Sequence, residues 1–180
     1  MNDTNTWNDM NDMNDMTYNI SDFQMDCYAF NEIAGKHNKT SLKDIDFQYK
    51  LILEETKEIK EKGIDKNDVK ETLDGVIDVM VTALGLMQKL EHLGVDVNKA
   101  MRDTAYNNLT KFPSKEYTAI QTAQMYEEDG VLVDVHYNSE YELFVIKNWN
   151  DKIMKPIGFE SNDLSNCIPA ELLESGFKDE

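Results

Sequence analysis

The sequence predicts a mainly α protein, a four- to five-helix bundle followed by a C-terminal β-hairpin and an irregular tail. Between Ser21 and Asp129 apolar residues recur at helical spacing in stretches separated by Gly, Pro, Ser and Asp punctuation. After Gly130 the period shortens to that of a strand. At 180 residues, 41% hydrophobic and 29% charged, the chain has material for one core with appendages and is short for two independent ones. The expected division is a flexible N-terminal extension over residues 1–20, a helical bundle over 21–129, and a hairpin with C-terminal extension over 130–180 packed on the bundle.

Residues 7–16 run Trp-Asn-Asp-Met and then Asn-Asp-Met twice more, a three-residue repeat that fits neither helix nor strand and reads as a flexible extension. Ser21 before Asp22 suits an N-cap, and Phe23, Cys27, Phe30, Ile33 and Ala34 then mark one helical face that ends near Gly35. Ser41 or Asp44 starts a second helix that stops at Gly63. A long third helix begins at Asn67 or Asp68 and reaches Leu93. A fourth, from about Asp96, carries Ala100, Met101, Ala105 and Leu109 and ends before Pro113. Ser114 caps a short fifth helix closed by Asp129-Gly130. Residues 131–137 and 141–146 are rich in β-branched and aromatic side chains, and Asn138-Ser139-Glu140 suits the turn of a hairpin. Residues 148–180 contain Pro156, Gly158 and Pro169 and read as an irregular tail.

The net charge of −17 argues against sequence-independent nucleic-acid binding, which needs clustered Lys and Arg to neutralise phosphates. No apolar run is long enough to cross a bilayer. The start, MNDTNTWNDM, has neither the basic nor the apolar part of a signal peptide, and Cys27 and Cys167 do not make a disulfide framework. A cytoplasmic setting is expected.

The acids carry the functional signal. On a helical wheel Phe47, Leu51, Ile52 and Ile59 form one arc of the second helix, and Glu54, Glu55 and Glu58 fall within it, inside roughly 100° of one another. The third helix is apolar nearly all round from Val76 to Leu90, as a central bundle helix is, yet Glu71, Asp74 and Asp78 stack at i, i+3 and i+7. Acids that interrupt an apolar arc are expected to point inward, where unpaired carboxylates need a cation. Two antiparallel helices can bring these strips face to face, and oxygen ligands without His or Cys favour Mg2+ or Mn2+ over zinc. Solvated i, i+3 and i, i+4 decoration is the competing reading, and it suits Glu61 beside Lys57.

Glu54-Glu55-Thr56-Lys57-Glu58 followed by Glu71-Thr72-Leu73-Asp74 resembles the EExxE and ExxD signature of the all-α NTP pyrophosphatase superfamily. The run from Glu71 to Gly85 and the segment Tyr106-Asn107-Asn108-Leu109-Thr110-Lys111-Phe112 are similar to MazG-like proteins of bacterial viruses, whose corresponding segment is SNMSKF. The resemblance implies a bundle of that type and a Mg2+-dependent nucleotide pyrophosphohydrolase, Mn2+ being a possible substitute. It implies a nucleoside triphosphate cut between the α and β phosphates. Glu54, Glu55 and Glu58 would be catalytic and metal-holding, one of them acting as general base. Glu71, Asp74 and Asp78 compete for the remaining ligand places, because Gly75 stands three residues before Asp78 where many relatives carry Glu. Asn108 and Lys111 would bind the nucleotide, and Asn31, beside Phe30 in the first helix, could line a base pocket.

His37, His92 and His136 stand apart in sequence and read as surface residues, Cys27 reads as core, and the Ser and Thr residues near the acids have no His partner for a nucleophile triad. The long apolar third helix predicts self-association, as a dimer or a tetramer. Two other readings stand beside the first: a house-cleaning hydrolase for dUTP or damaged nucleotides, and a non-catalytic acidic helical protein acting as a nucleic-acid mimic or interaction module.

Overall fold

The computed structural model describes residues 18–178. Of the extension expected over residues 1–20, all but Tyr18, Asn19 and Ile20 lies outside the described residues, as does the Asn-Asp-Met repeat. Among the described residues the regular structure is mainly helical, six α-helices with one two-stranded antiparallel sheet. It falls into two compact units, one of residues up to Val95 together with those from Glu174 on, the other Asp96–Leu173. Residues 129 and 130, where the sequence suggests a division, lie inside the second unit.

In the first unit α1 spans Ile20–Ile33, α2 Leu42–Glu58 and α3 Val69–His92. The cap of α1 is Asn19 and not Ser21: its Oδ1 accepts the Ser21 and Asp22 N–H groups at 2.8 and 3.3 Å, and the Asp22 carboxylate accepts the Asn19 N–H at 3.0 Å. This reciprocal box satisfies orphan donors that a cap at Ser21 would leave open. Ser41 caps α2 and Asp68 caps α3. The segment after α2 does not stop at once. It widens into one π-helical turn, Ile59–Gly63, and then tightens into a 3-10 turn, Ile64–Lys66, that ends on Asn67 in the left-handed region.

Helices α2 and α3 pack antiparallel along a seam that can be read residue by residue. Gln48 Nε2 donates to the Thr82 carbonyl at 2.9 Å, and a Cβ on Gly85 would lie 2.9 Å from that same nitrogen. Further along, a Cβ on Gly75 would lie 2.7 Å from Ile59 Cγ1, and one on Gly63 would lie 2.4 Å from Thr72 Oγ1 and 2.8 Å from its Cα. Glycine is required at Gly63 by the approach of the Thr72 backbone, whereas at Gly75 and Gly85 a Cβ would press on the Ile59 and Gln48 side chains, and the π turn is the segment that carries Gly63 to Thr72.

The first unit is thin, and this corrects the expectation that α3 is apolar-buried all round. Leu73, Val76 and Ile77 of α3 are exposed, and its buried residues are Gly75, Gly85, Gln88 and Lys89. Cys27 and Asn31 of α1 and Gln48 of α2 are buried. Lys89, 4% exposed, donates from Nζ to the carbonyls of Lys36 and Lys39 at 2.6 and 2.8 Å, so its ammonium ties the α1–α2 connection to α3. Burial pushes its pKa down.

The second unit contains α4 (Val97–Leu109), α5 (Glu116–Glu128), β1 (Val133–Asn138) and β2 (Leu143–Asn148), with α6 (Ala170–Ser175) spanning the boundary back to the first. Ser114 is not the cap of α5. Lys115 occupies that place, and no side chain caps the helix. The hairpin is present with Val133 opposite Asn148 and Asn138 opposite Leu143. Its turn is longer than expected because Asn138 Oδ1 accepts the N–H groups of Glu140 and Tyr141 at 3.1 and 3.2 Å. Both strands pack on α5, where Ile146, Ala119 and Thr122 are wholly excluded from solvent.

The tail is more ordered than its composition suggests. Tyr126 OH donates to the Lys155 carbonyl at 3.0 Å, and the Ile157 N–H donates to Thr122 Oγ1 at 3.0 Å. Asn107 Nδ2 reaches the Glu160 carbonyl at 2.8 Å, and Asn162 Nδ2 reaches Thr104 Oγ1 at 3.2 Å. Residues 155–162 are thus stitched to α5 and then to α4. Because Thr72 meets Gly63 through its backbone, Gly63→Ala is expected to destabilise the chain by about 1–3 kcal/mol, the usual range for overpacking. Urea unfolding measures it, and an unchanged midpoint would refute the close seam.

Candidate functional site

The seam register places Glu55 of α2 level with Asp78 of α3, between the Gln48–Gly85 contact and the Ile59–Gly75 contact. The electrostatics agree with that placement. Burial pushes the Glu55 carboxyl up, and the charge of Asp78, across the seam, raises it further, ahead of Glu58 and Glu54 on its own helix. Glu55, Glu58 and Glu71 are half-buried, whereas Glu54, Asp74 and Asp78 are exposed. The expectation that all of these acids point into an interior is therefore corrected. The seam is too narrow to enclose them, and they line its open edge.

A cation already stands among them. Lys62 Nζ contacts Glu58 Oε2 at 2.6 Å. Its pKa is raised, first by the hydrogen bond to Glu58, against an opposing effect of burial, with the charges of Glu58, Glu71 and Glu55 adding to the rise. Lys62 lies in the π turn, which follows Glu58 directly. One face of the α2–α3 pair thus gathers Glu54, Glu55, Glu58, Glu71, Asp78 and Lys62. Asp74 is not drawn in: it is exposed, and its carboxylate has no hydrogen bond or ion pair among the described residues. Among the described residues no three His, Cys, Asp or Glu side chains converge closely enough to form a ready metal cage. The donor set itself, carboxylates repelling one another across a seam, has the hard-oxygen chemistry that suits Mg2+ or Mn2+.

Asn31 is buried, and its Nδ2 is the neighbour a Cβ on Gly85 would meet at 3.4 Å, next to Gln48. It belongs to the seam's polar end, while Phe30 is exposed beneath the Lys36 ammonium. Asn108 and Lys111 lie in the second unit, joined by a 2.7 Å hydrogen bond from Lys111 Nζ to Asn108 Oδ1. His37 and His92, expected to stand apart, meet edge to face at 5.9 Å with His37 half-buried. His37 falls in the loop after α1 and His92 at the end of α3, an association that no sequence spacing reveals. Cys27 and Cys167 are free and buried, and burial pushes the Cys27 thiol up, which fits a core role.

Lys62 escapes a reading of acid motifs, although its i, i+4 relation to Glu58 is visible in the sequence. Lys57 and Glu61 do pair at 3.6 Å, both exposed. In comparisons with protein families, curated proteins and solved structures, nothing matches the chain. No helix of the described residues is long and apolar enough to cross a membrane.

A carboxyl whose folded pKa is raised favours the fold when protonated, and that contribution is lost as pH rises through the folded value. Ionised Glu55 therefore opposes folding at neutral pH in metal-free protein. Glu55→Gln is expected to melt a few degrees higher than wild type at pH 7, the difference shrinking as pH falls into the carboxylate range. Thermal melts in EDTA across that range measure it. A variant that is less stable at pH 7 would contradict the repulsion.

Proposed function

We propose that the protein is a Mg2+-dependent nucleoside triphosphate pyrophosphohydrolase, converting a (d)NTP and water to a (d)NMP and pyrophosphate. The observation that carries this reading is the apposition of Glu55 and Asp78 with Glu54, Glu58 and Glu71 on one face of an antiparallel helix pair. The helical architecture is compatible with the all-α NTP pyrophosphatase type, and the three acids of the first motif together with Glu71 fall on that face.

Glu54, Glu55, Glu58, Glu71 and Asp78 would hold Mg2+, or Mn2+ in its place, with Asp74 at the edge. When bound, such a cation neutralises phosphate charge and lowers the pKa of a water molecule. Glu55, level with Asp78 on the seam, would take the proton from a water whose oxygen attacks the α-phosphorus. The bond from the α-phosphorus to the bridging oxygen breaks, and pyrophosphate leaves. Lys62, exposed at the end of a flexible stem, can turn from Glu58 when a divalent cation takes its place. Asn108, Lys111 and Asn31 are the candidates for nucleotide contacts. A nucleotide substrate places the enzyme in a cytoplasm, that of the host if the protein is viral, and sets no role for nucleic acid or membrane.

The apolar side chains left exposed on the first unit, among them Phe30, Phe47, Leu53 and Val76, support a homo-oligomer, dimer or tetramer, that covers them. A second reading, a non-catalytic acidic helical protein, is favoured by the Lys62–Glu58 pair, which neutralises part of the cluster without a metal.

Incubation with Mg2+ and a panel of NTPs and dNTPs, dUTP and oxidised nucleotides included, is expected to release pyrophosphate. Glu55→Gln and Glu58→Gln should each lower turnover by at least ~100-fold while circular dichroism stays unchanged. Full activity in both would remove the assigned site, and no release from any nucleotide would leave the non-catalytic reading. Lys62→Gln is expected to tighten Mg2+ binding several-fold by calorimetry, because the cation no longer displaces an ammonium. Weaker binding would overturn the view that Lys62 competes for the acids.

A further inference from the structure

Outside the acidic face, the second unit brings two lysines to one aromatic ring. Lys111 Nζ lies 6.0 Å and Lys155 Nζ 5.1 Å from the centroid of Phe159. The hydrogen bonds that stitch residues 155–162 to α5 and α4 hold Phe159 there, and the turn at Gly158, φ 77°, closes with the Phe159 N–H on the Pro156 carbonyl at 3.0 Å. The meeting is therefore built by the backbone and not only by long side chains.

Among the described residues neither Lys111 nor Lys155 makes an ion pair. Lys111 donates instead to Asn108 Oδ1 at 2.7 Å and Lys155 to Ser161 Oγ at 3.4 Å, both neutral acceptors. The attraction of a ring face for a cation is modest at an exposed site, so both ammonium groups keep hydrogens for a stronger partner. An anion with several acceptor oxygens offers them charge-assisted hydrogen bonds. The Asn108 amide and the Ser161 hydroxyl supply further donors.

We propose that Lys111, Lys155 and Phe159, with Asn108 and Ser161, form a binding site for the phosphate chain of a nucleotide. The anion site stands on its own geometry, and only the choice of a nucleotide's phosphate chain rests on the function proposed above. Lys155 and Phe159 are the new members. They come from the tail, and Phe159 places both ammonium groups while leaving donors on each free.

The test titrates inorganic triphosphate into the full chain in EDTA, by calorimetry or phosphorus NMR. Wild type is expected to bind, Lys155→Gln and Lys111→Gln each to weaken binding at least about fivefold, and Lys152→Gln, a tail lysine away from the ring, to bind as wild type. Phe159→Leu should weaken binding by a smaller factor, and thermal melts separate that from unfolding. No binding by wild type, or unchanged binding by Lys155→Gln, overturns the site. Tighter binding of a single-stranded oligonucleotide at equal phosphate concentration overturns the free-nucleotide assignment. If triphosphate binding falls in Lys155→Gln but no nucleotide is hydrolysed by wild type, the anion site stands and the hydrolase reading fails. Hydrolysis with KM and triphosphate binding both unchanged in Lys155→Gln has the opposite meaning.

Discussion

The close approach of α3 to α2 and its π turn is the constraint on which the first unit depends. A Cβ would meet the Thr72 backbone at Gly63 and would press on the Ile59 and Gln48 side chains at Gly75 and Gly85, three levels of the seam. With the helices this near, register has little freedom, and the level of Glu55 is tied to that of Asp78. A wider pair would let both carboxylates hydrate independently. The narrow one raises the Glu55 carboxyl through burial and through its neighbours' charge. The same closeness leaves little volume for an apolar interior, so amides and one lysine occupy the buried positions. Gln48 and Lys89 spend their hydrogens on carbonyls of α3 and of the α1–α2 connection, which is how buried donors are tolerated.

The acidic face shows the tension between stability and chemistry in a small space. Acids of like charge at the edge of a seam are unfavourable to the fold, and Lys62 offsets part of that through Glu58. An exposed lysine is a weak partner compared with a divalent ion, since water screens the pair and the stem must be ordered. The cluster is thus compensated enough to fold, and incompletely enough to gain from a stronger cation.

Much of the helical framework was legible because it is written in local chemistry. Ser41, Asp68 and Asp96 cap the second, third and fourth helices where the sequence suggests, and the β-branched run after Gly130 gives the hairpin. Asn19 and Lys115 escape the sequence reading for opposite reasons: Asn19 is a better cap than Ser21, two residues on, once Asp22 returns the bond, and Lys115 caps with no side chain at all. The motif acids were legible as a set, but not their exposure, because a wheel shows which residues share a face and not whether another helix is wide enough to cover it. The π turn, the His37–His92 contact and the meeting of two lysines at the Phe159 ring depend on backbone paths that no local pattern encodes. Gly63 and Gly75 were visible as glycines, yet only the partner helix explains them.

The first unit is discontinuous in sequence, and its last piece reaches back to its beginning: the N–H of Leu42, in the first turn of α2, donates to the carbonyl of Lys178 at 2.9 Å. During synthesis α1, α2 and α3 leave the ribosome long before that carbonyl exists, with all of residues 96–173 in between. The nascent helices must therefore hold together without it, and the second unit, continuous in the chain, can complete itself first. Closure of the first unit waits on residues 174–178, which makes that segment a latch on a body already assembled.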